Sequence, residues 1–341
     1  MFEMKNFNLL IISLFATVAL WSQQETQFTQ YYQNAYFFNP AAGGTKSLME
    51  FDAGFRRQWL GIEGSPRSVF LTGHSVVKFE SGGSDVVNEF NTKNESFYQT
   101  PKNTIGRNKH VVGGRLLNDA IGPFEKNSVM ASYAYHLRFS KNTMLGLGMS
   151  AGWSNYGINS DKVKLVDNDD EAYEDFLLRN NNQNIFDVNA GISLYGERFH
   201  FGISSIQLLD NDMIIDQVQT VSTYGRHWFM FGKYNFDIID KFAVEPHFMG
   251  QLIGQAPFAI NFGSRFIYDK KYWLNTSYRW GDAVNFGFGL NFLENLRVGY
   301  AFDFGIGVLQ GTAGNAHEIQ LGYVIGNNRN IDKEIDEGEN P

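Results

Sequence analysis

The sequence predicts an all-β protein, a transmembrane antiparallel β-barrel of about 14 strands with an N-terminal plug or periplasmic arm. Two observations predict this fold. Segments of roughly ten residues alternate between large apolar and small or polar side chains, and the connections between them alternate in length. A third excludes the main alternative, because beyond residue 21 no apolar run reaches the roughly 20 residues of a membrane-spanning helix.

The alternation is clearest in a hairpin between residues 283 and 304. Phe286 and Phe288 fall on one face of its first strand, and Asn285 and Gly287 fall on the other. After the break at Leu293-Glu294-Asn295 the same pattern resumes. The small, polar face is unsuited to the core of a soluble sandwich, so the pattern predicts a lumen on that side and lipid on the other.

The composition agrees with a barrel and excludes other classes of protein. The 31 Phe and 16 Tyr residues suit a lipid-facing band with aromatic girdles. Mean hydropathy is only −0.28, because alternating strands average their two faces. The net charge of −8 argues against a nucleic-acid partner, and the absence of cysteine excludes a lipoprotein anchor and a disulfide framework.

The chain divides into four regions by composition. Residues 1–22 resemble a signal peptide, with the apolar run Phe7–Leu20 after Lys5. Residues 23–48 are the expected plug or arm, since Asn39-Pro40 and Gly43-Gly44 interrupt any regular element. Residues 49–326 form the barrel, and residues 327–341 an acidic periplasmic tail that is expected to be disordered.

The barrel strands follow from the period-two pattern in chain order. In the first strand, Phe51 and Phe55 point outward and Asp52 and Arg56 inward. Strands are predicted at Met49–Trp59, Ser68–Phe79, Val111–Asn118, Lys126–Leu137, Met144–Tyr156, Asn184–Tyr195, Phe199–Ile206, Arg226–Phe236, Val244–Leu252, Phe258–Tyr268, Tyr272–Arg279, Ala283–Phe292, Leu296–Phe304 and His317–Val324.

Loop lengths predict the orientation. Outer-membrane barrels have short periplasmic turns and long outer loops, so both termini are expected in the periplasm. The segments Gly157–Gln183, Gln207–Gly225 and Gly305–Ala316 are then expected outside. Glu80–Lys109 breaks this rule, because it is long and polar on the periplasmic side, and it is interpreted as a disordered insertion.

Five segments together resemble the PorP/SprF family of outer-membrane proteins, and the resemblance spans nearly the whole mature chain. They are Gln27-Phe28-Thr29-Gln30-Tyr31-Tyr32 with Asn39-Pro40-Ala41, Arg57-Gln58-Trp59, Ser132-Tyr133-Ala134-Tyr135-His136, Tyr278-Arg279-Trp280-Gly281-Asp282-Ala283 and His317-Glu318-Ile319.

The resemblance implies a barrel of the type IX secretion and gliding machinery. Such a barrel anchors, or supports secretion of, a large surface protein or adhesin that carries a C-terminal signal domain. Other type IX components and outer-membrane lipid are further expected partners, and neither a cofactor nor an enzymatic activity is expected. The alternative is a porin or a FadL-like passive solute transporter with a luminal plug.

The family-like motifs gather at the predicted extracellular mouth. The residues expected to bind a partner there are Arg56, Gln58, Trp59, Asp119, Arg279, Trp280, Asp282 and Asp303. By parity four of these residues face the lumen, namely Arg56, Gln58, Arg279 and Asp303. We therefore expect a charged belt that receives or positions a partner's terminal domain. The alternative is that these charges pair across the lumen and only fix the shape of the barrel.

Other site chemistry is sparse. No two of the seven histidines have metal-ligand spacing, so they are expected to make hydrogen bonds in the lumen or at the rim. Asp167-Asn168-Asp169-Asp170-Glu171 offers oxygen ligands for calcium but lacks the EF-hand glycine, which favours a solvated loop. A lipolytic barrel needs a Ser–His pair on the lipid-facing wall, and no serine is singled out.

Overall fold

The chain forms one closed barrel around its own N-terminal segment. A computed structural model describes residues 27–46, 49–80, 108–163, 182–209, 212–215, 220–223, 226–253, 258–292, 295–306 and 315–325. The expected signal peptide, the acidic tail and most of the Glu80–Lys109 connection lie outside these residues.

The described chain contains mostly antiparallel strands. Their bounds are β1 (Met49–Arg57), β2 (Arg67–Glu80), β3 (Asn108–Ile121), β4 (Phe124–Ser140), β5 (Thr143–Ile158), β6 (Asn182–Gly196), β7 (Phe199–Ile206), β8 (Asp212–Ile215), β9 (Thr220–Thr223), β10 (His227–Tyr234), β11 (Phe236–Ile239), β12 (Phe242–Ile253), β13 (Ala259–Tyr268), β14 (Tyr272–Arg279), β15 (Ala283–Phe292), β16 (Leu296–Gly305) and β17 (Ala316–Ile325).

The pairings of β1 with β17 and of β10 with β12 close the sheet into a barrel. β1 also pairs with β2, and β12 also pairs with β13. β10 and β11 act as one wall strand interrupted at Asn235, so the barrel has 14 strands and the predicted fold is confirmed. In the described part of the wall every strand therefore has a neighbour on both sides, which is the condition for β-structure to cross a membrane.

Several strands extend a few residues beyond their predicted bounds, as β3 and β4 do, and three larger differences appear. The first strand ends at Arg57, because Trp59 takes a left-handed φ of 53° that a strand does not allow. The predicted strand Arg226–Phe236 is broken at Asn235. Part of the predicted loop Gln207–Gly225 forms the separate β8–β9 hairpin.

The two faces of the wall differ as the alternation predicts. In β1, Phe51 and Phe55 are 43% and 41% exposed, whereas Asp52 and Arg56 are 3% and 1% exposed. Because successive side chains of a strand point to opposite faces, the wall carries an apolar outer belt and a polar lining.

The connections divide the barrel into two distinct mouths. One end, called the short-turn mouth, has tight turns such as Lys141-Asn142, Glu197-Arg198 and Asp269–Lys271. The other end, called the long-loop mouth, carries residues 58–66 and the described ends of three longer connections, which are residues 159–163, 207–209, 226, 306 and 315. The tight turns Gly122-Pro123 and Trp280–Asp282 also lie at the long-loop mouth.

Residues 27–46, called the luminal segment, cross the interior of the barrel. Two short 3-10 helices, Ala35–Phe37 and Pro40–Ala42, are capped by the side chains of Asn34 and Asn39. Thr29 contacts β16 and β17 at the long-loop mouth, and Gly44 contacts β2 at the opposite end. No helix in the described part of the chain is both long and apolar enough to cross a membrane.

Aromatic packing holds this segment against the wall. The Phe28 and Phe37 rings lie 4.7 Å and 5.0 Å from the ring of Phe70 on β2. Phe70 lies over Gly54 of β1, where an added Cβ would stand 2.1 Å from its ring. Gly54 therefore makes the space that Phe70 needs to reach the luminal segment.

We expect Gly54→Val to weaken the barrel by about 1–3 kcal/mol, because the new side chain overpacks the Phe70 site. The measurement is the temperature at which the heat-modifiable gel mobility of the folded barrel is lost. Gly305→Val is the control, since a Cβ at that position has no atom of the described residues within 4 Å, apart from its chain neighbours. Equal transition temperatures for both variants would contradict the packing argument.

Candidate functional site

The wall supplies hydrogen-bond partners to the backbone of the luminal segment. Arg115 Nη1 donates to the Phe37 carbonyl at 2.7 Å, and Ser204 Oγ donates to the Phe38 carbonyl at 2.8 Å. Lys109 Nζ donates to the Gly44 carbonyl at 2.5 Å. An irregular segment inside a barrel cannot complete a sheet, so its buried peptide groups depend on side chains for partners.

Four charged side chains and one hydroxyl meet at the long-loop mouth in what we call the rim cluster: Arg56, Arg279, Asp303 and Glu318, with Thr29. Arg56 reaches Asp303 Oδ2 at 2.6 Å and Glu318 Oε2 at 3.2 Å. Arg279 reaches the same Asp303 oxygen at 3.3 Å. The cluster balances two positive with two negative charges, which offsets the cost of burying them.

Thr29 joins the luminal segment to this cluster. Its hydroxyl donates to Asp303 Oδ1 at 2.7 Å and accepts from Arg56 Nη1 at 2.8 Å. Its backbone N–H donates to Glu318 Oε2 at 2.6 Å, and the N–H of Gln30 donates to Glu318 Oε1 at 3.0 Å. Hydrogen bonds to charged groups are stronger than neutral ones, so the segment is firmly held at this end.

A second charged group fastens the other end of the segment. Arg297 contacts Asp52 and, at 2.7 Å, Glu50. Lys46 lies 3.8 Å from Glu50 and donates to the Gln33 carbonyl at 2.5 Å.

A third charged group lies beside the middle of the segment. Glu245 pairs with Arg265 at 2.5 Å and with Lys233 at 3.4 Å. Lys233 also donates to the Tyr32 carbonyl at 3.2 Å, and the Arg265 guanidinium lies 5.1 Å from the Tyr32 ring. The luminal segment is therefore tied to the wall along its length.

The structure brings some of the predicted site residues together. Arg56, Arg279 and Asp303 meet in the rim cluster, and Asp282 pairs with Arg279 at 3.0 Å. The Gln58 amide oxygen lies 3.5 Å from Arg56 Nη2. These five side chains form one continuous polar set that runs from the lumen to the rim.

Three predicted residues lie apart from that set. Asp119 accepts a hydrogen bond from Ser68, two strands away from Arg56. Trp59 lies in the strained turn that follows β1. Trp280 is 69% exposed, and the centroid of its ring lies 6.1 Å from that of the outward Tyr278 ring. This position is typical of an interfacial aromatic girdle.

Sequence reasoning missed Thr29 and Glu318 as members of the site. Both belong to the motifs that carry the family resemblance, and Glu318 alternates inward on β17. Parity alone could have placed Glu318 in the lumen. The contact with Thr29 depends on a segment that has no periodicity, so no local signal predicts it.

The histidines make the expected hydrogen bonds. His247 bonds to Tyr31 Oη at 2.7 Å, and His317 bonds to Tyr300 Oη at 2.5 Å. Among the described residues no group of His, Asp and Glu could hold a metal ion. Ser193 and His200 bond at 2.7 Å, but this pair is buried and faces the lumen instead of lipid. The candidate calcium loop 167–171 lies outside the described residues.

A comparison with solved structures finds outer-membrane proteins and channels of low sequence identity. Omp33 of Acinetobacter baumannii has a TM-score of 0.45 at 9% identity, covering 82% of this chain and 99% of that one. A deletion mutant of the TodX monoaromatic hydrocarbon channel gives 0.41 at 11% identity, covering 86% and 93%. A Rhodopseudomonas blastica porin mutant gives 0.32 at 8% identity, covering 81% and 98%.

The sequence comparison identifies the family. No curated protein matches the chain significantly. The family described as "Type IX secretion system membrane protein PorP/SprF" matches residues 21–323, most of the chain and all but the last strand residues of the barrel. The chain therefore belongs to the PorP/SprF family and is an outer-membrane β-barrel of the type IX secretion system, where other secretion components and cargo are its partners.

Proposed function

We propose that this barrel holds a large secreted surface protein or adhesin at the cell surface through the C-terminal domain of that protein, and that it is not an enzyme. The family supports the secretion role. The observation that carries the anchoring role is the filled lumen, since the luminal segment meets strands from every side of the barrel. A barrel occupied by its own chain suits holding better than passage.

The orientation follows from the two mouths. We place the long-loop mouth outside and the short-turn mouth in the periplasm. Ile325 ends β17 at the short-turn mouth, so the tail 327–341 is assigned to the periplasm. Gln27 lies at the long-loop mouth, beside Arg279. The described chain therefore begins and ends at opposite mouths. Of the two termini, we place only the C-terminal tail in the periplasm.

The partner surface is assigned to the rim cluster and the residues beside it. Arg56 and Asp303 are already engaged by Thr29. Asp282 remains largely exposed, at 59% of its side chain, while paired with Arg279. The cluster thus presents charge at the rim, and Asp303 holds Arg279 in place from the lumen side. A partner can use this charge either by binding the rim directly or by first displacing Thr29.

The test of the anchoring role is deletion of the gene, followed by proteomics of the cell surface and the culture medium. We expect one large protein to leave the surface while other type IX cargo is exported normally. Accumulation of all such cargo in the periplasm would assign the barrel to the core secretion machine instead. An unchanged surface proteome would remove both roles.

Replacement of Arg279 by Ala should release the surface partner while the barrel still assembles. Truncating an interfacial arginine of this kind costs about 2 kcal/mol or more. The measurement is the ratio of partner in the medium to partner on cells. Arg198→Ala is the control, because Arg198 is a 51% exposed, ion-paired arginine of the short-turn mouth. A ratio equal to that of the control contradicts a partner contact at the rim.

Planar-bilayer conductance separates the anchor from the alternative of a porin or FadL-like transporter. The wild-type barrel should be nearly silent, because the luminal segment fills it. Asp303→Ala should give transient openings, since it leaves Arg56 partly uncompensated at a cost of about 3–5 kcal/mol and removes an anchor of Thr29.

Lys162→Ala is the matched control for this measurement. Lys162 forms an exposed surface pair with Glu125 at 3.0 Å, which contributes little to stability. It should therefore remain as silent as the wild type. Large regular conductance steps from the wild-type barrel would favour the porin.

A further inference from the structure

Two arginines lie side by side on the outer surface of the barrel at the long-loop mouth. Arg57 of β1 is directly opposite Arg67 of β2, and on its other side it is opposite His317 of β17. Arg57 and Arg67 are exposed, whereas their chain neighbours Arg56 and Ser68 are buried in the lumen. The arginines therefore face the membrane side of the wall.

The charges of this pair are only partly offset within the described chain, where Glu125 attracts Arg67 without forming a salt bridge with it. Like charges directly opposite each other across an antiparallel pair are destabilising. Arg57 Nε donates to Ser65 Oγ at 3.3 Å, and in the ranges that the structure describes neither arginine forms a salt bridge. Glu125 follows in the same row, two strands from Arg67, but it is paired with Lys162 at 3.0 Å.

Apolar side chains lie directly beneath the arginines. Phe55 is opposite Val69 on one side and Ile319 on the other. These three side chains are 41%, 41% and 46% exposed on the lipid-facing wall. They stand two residues along the strands from the arginine row, a distance of about 7 Å. The arginines thus mark the edge of the apolar belt that is nearer to the long-loop mouth, at the level of lipid headgroups.

We propose that Arg57 and Arg67 bind a phosphate group of an outer-leaflet glycolipid whose acyl chains pack on Phe55, Val69 and Ile319. The guanidinium fork matches phosphate geometry, and one phosphate between two arginines turns their repulsion into attraction. The apolar row selects a lipid over a soluble anion, because it supplies a surface that an acyl chain covers. The assignment to the outer leaflet rests on the orientation given under the proposed function.

The geometry at the other mouth offers a contrast. Arg198 is also exposed, but it pairs with Asp237 at 3.0 Å. A second anion gains little there because the charge is already balanced. Arg198 is therefore the matched control for an exposed arginine without a phosphate site.

The experiment titrates the purified full-length barrel in nonionic detergent with bisphosphorylated lipid A, and in parallel with its dephosphorylated form and with inorganic phosphate. The readout is the temperature at which the heat-modifiable gel mobility is lost. Wild type and Arg198→Gln should be protected by lipid A at the same concentration. The double variant Arg57→Gln/Arg67→Gln should need about tenfold more, because it loses charge-assisted hydrogen bonds.

Two further measurements show whether the effect comes from the charges of the two arginines. The double substitution to lysine should give protection between that of the wild type and that of the double glutamine variant, because lysine retains the charge but lacks the guanidinium fork. Without lipid the double glutamine variant should be at least as heat-resistant as the wild type, since it loses a repulsion; this also shows that the variant is folded.

Equal protection of wild type and the double glutamine variant overturns the proposal, as does equal protection by the dephosphorylated lipid. Protection by inorganic phosphate at the same concentration overturns the lipid assignment and leaves a general anion site. The assay contains no secreted partner, so its failure says nothing against anchoring. Conversely, loss of anchoring in cells does not change the result of the titration.

Discussion

The structure depends on one constraint: an irregular segment lies inside a closed barrel, and each of its buried peptide groups needs a partner. Side chains of the wall meet this need, with Arg115, Lys109 and Lys233 donating to luminal carbonyls and Glu318 accepting from two luminal amides. The polar lining is therefore explained by the chain that it holds. A water-filled channel with the same composition would not need these particular contacts.

Charge balance follows from the same constraint. Five carboxylates of the lumen have basic partners: Asp303 and Glu318 with Arg56, Asp52 and Glu50 with Arg297, and Glu245 with Arg265. Buried pairs of this kind add little net stability, but removing one partner is costly, so they favour a single arrangement. A barrel fixed in this way offers a rigid rim, as an anchor for a surface protein requires.

Arg56 and Arg57 show how the wall divides its chemistry. They are neighbours in sequence, but period-two alternation sends one into the lumen and the other to the membrane side. In the lumen Arg56 pairs with two carboxylates. On the membrane side Arg57 lies opposite a second arginine, at the edge of an apolar surface. The same residue type thus closes the barrel on one face and provides a site for an anionic headgroup on the other.

The sequence by itself determined the position of the wall strands to within a few residues, their facing and the barrel class, because period-two alternation is a local property that each strand carries. The lumen-facing directions of Arg56, Arg279 and Asp303 follow from parity in the same way. Only the tertiary structure decided that Thr29 meets Glu318 across 289 positions of the chain, that Trp280 lies with Tyr278 on the outside, and that the luminal segment runs from one mouth to the other. The first and third of these depend on the path of an aperiodic segment through the lumen, and the second on the turn that follows β14. Neither the path of such a segment nor the direction of a turn side chain leaves a periodic pattern in the sequence.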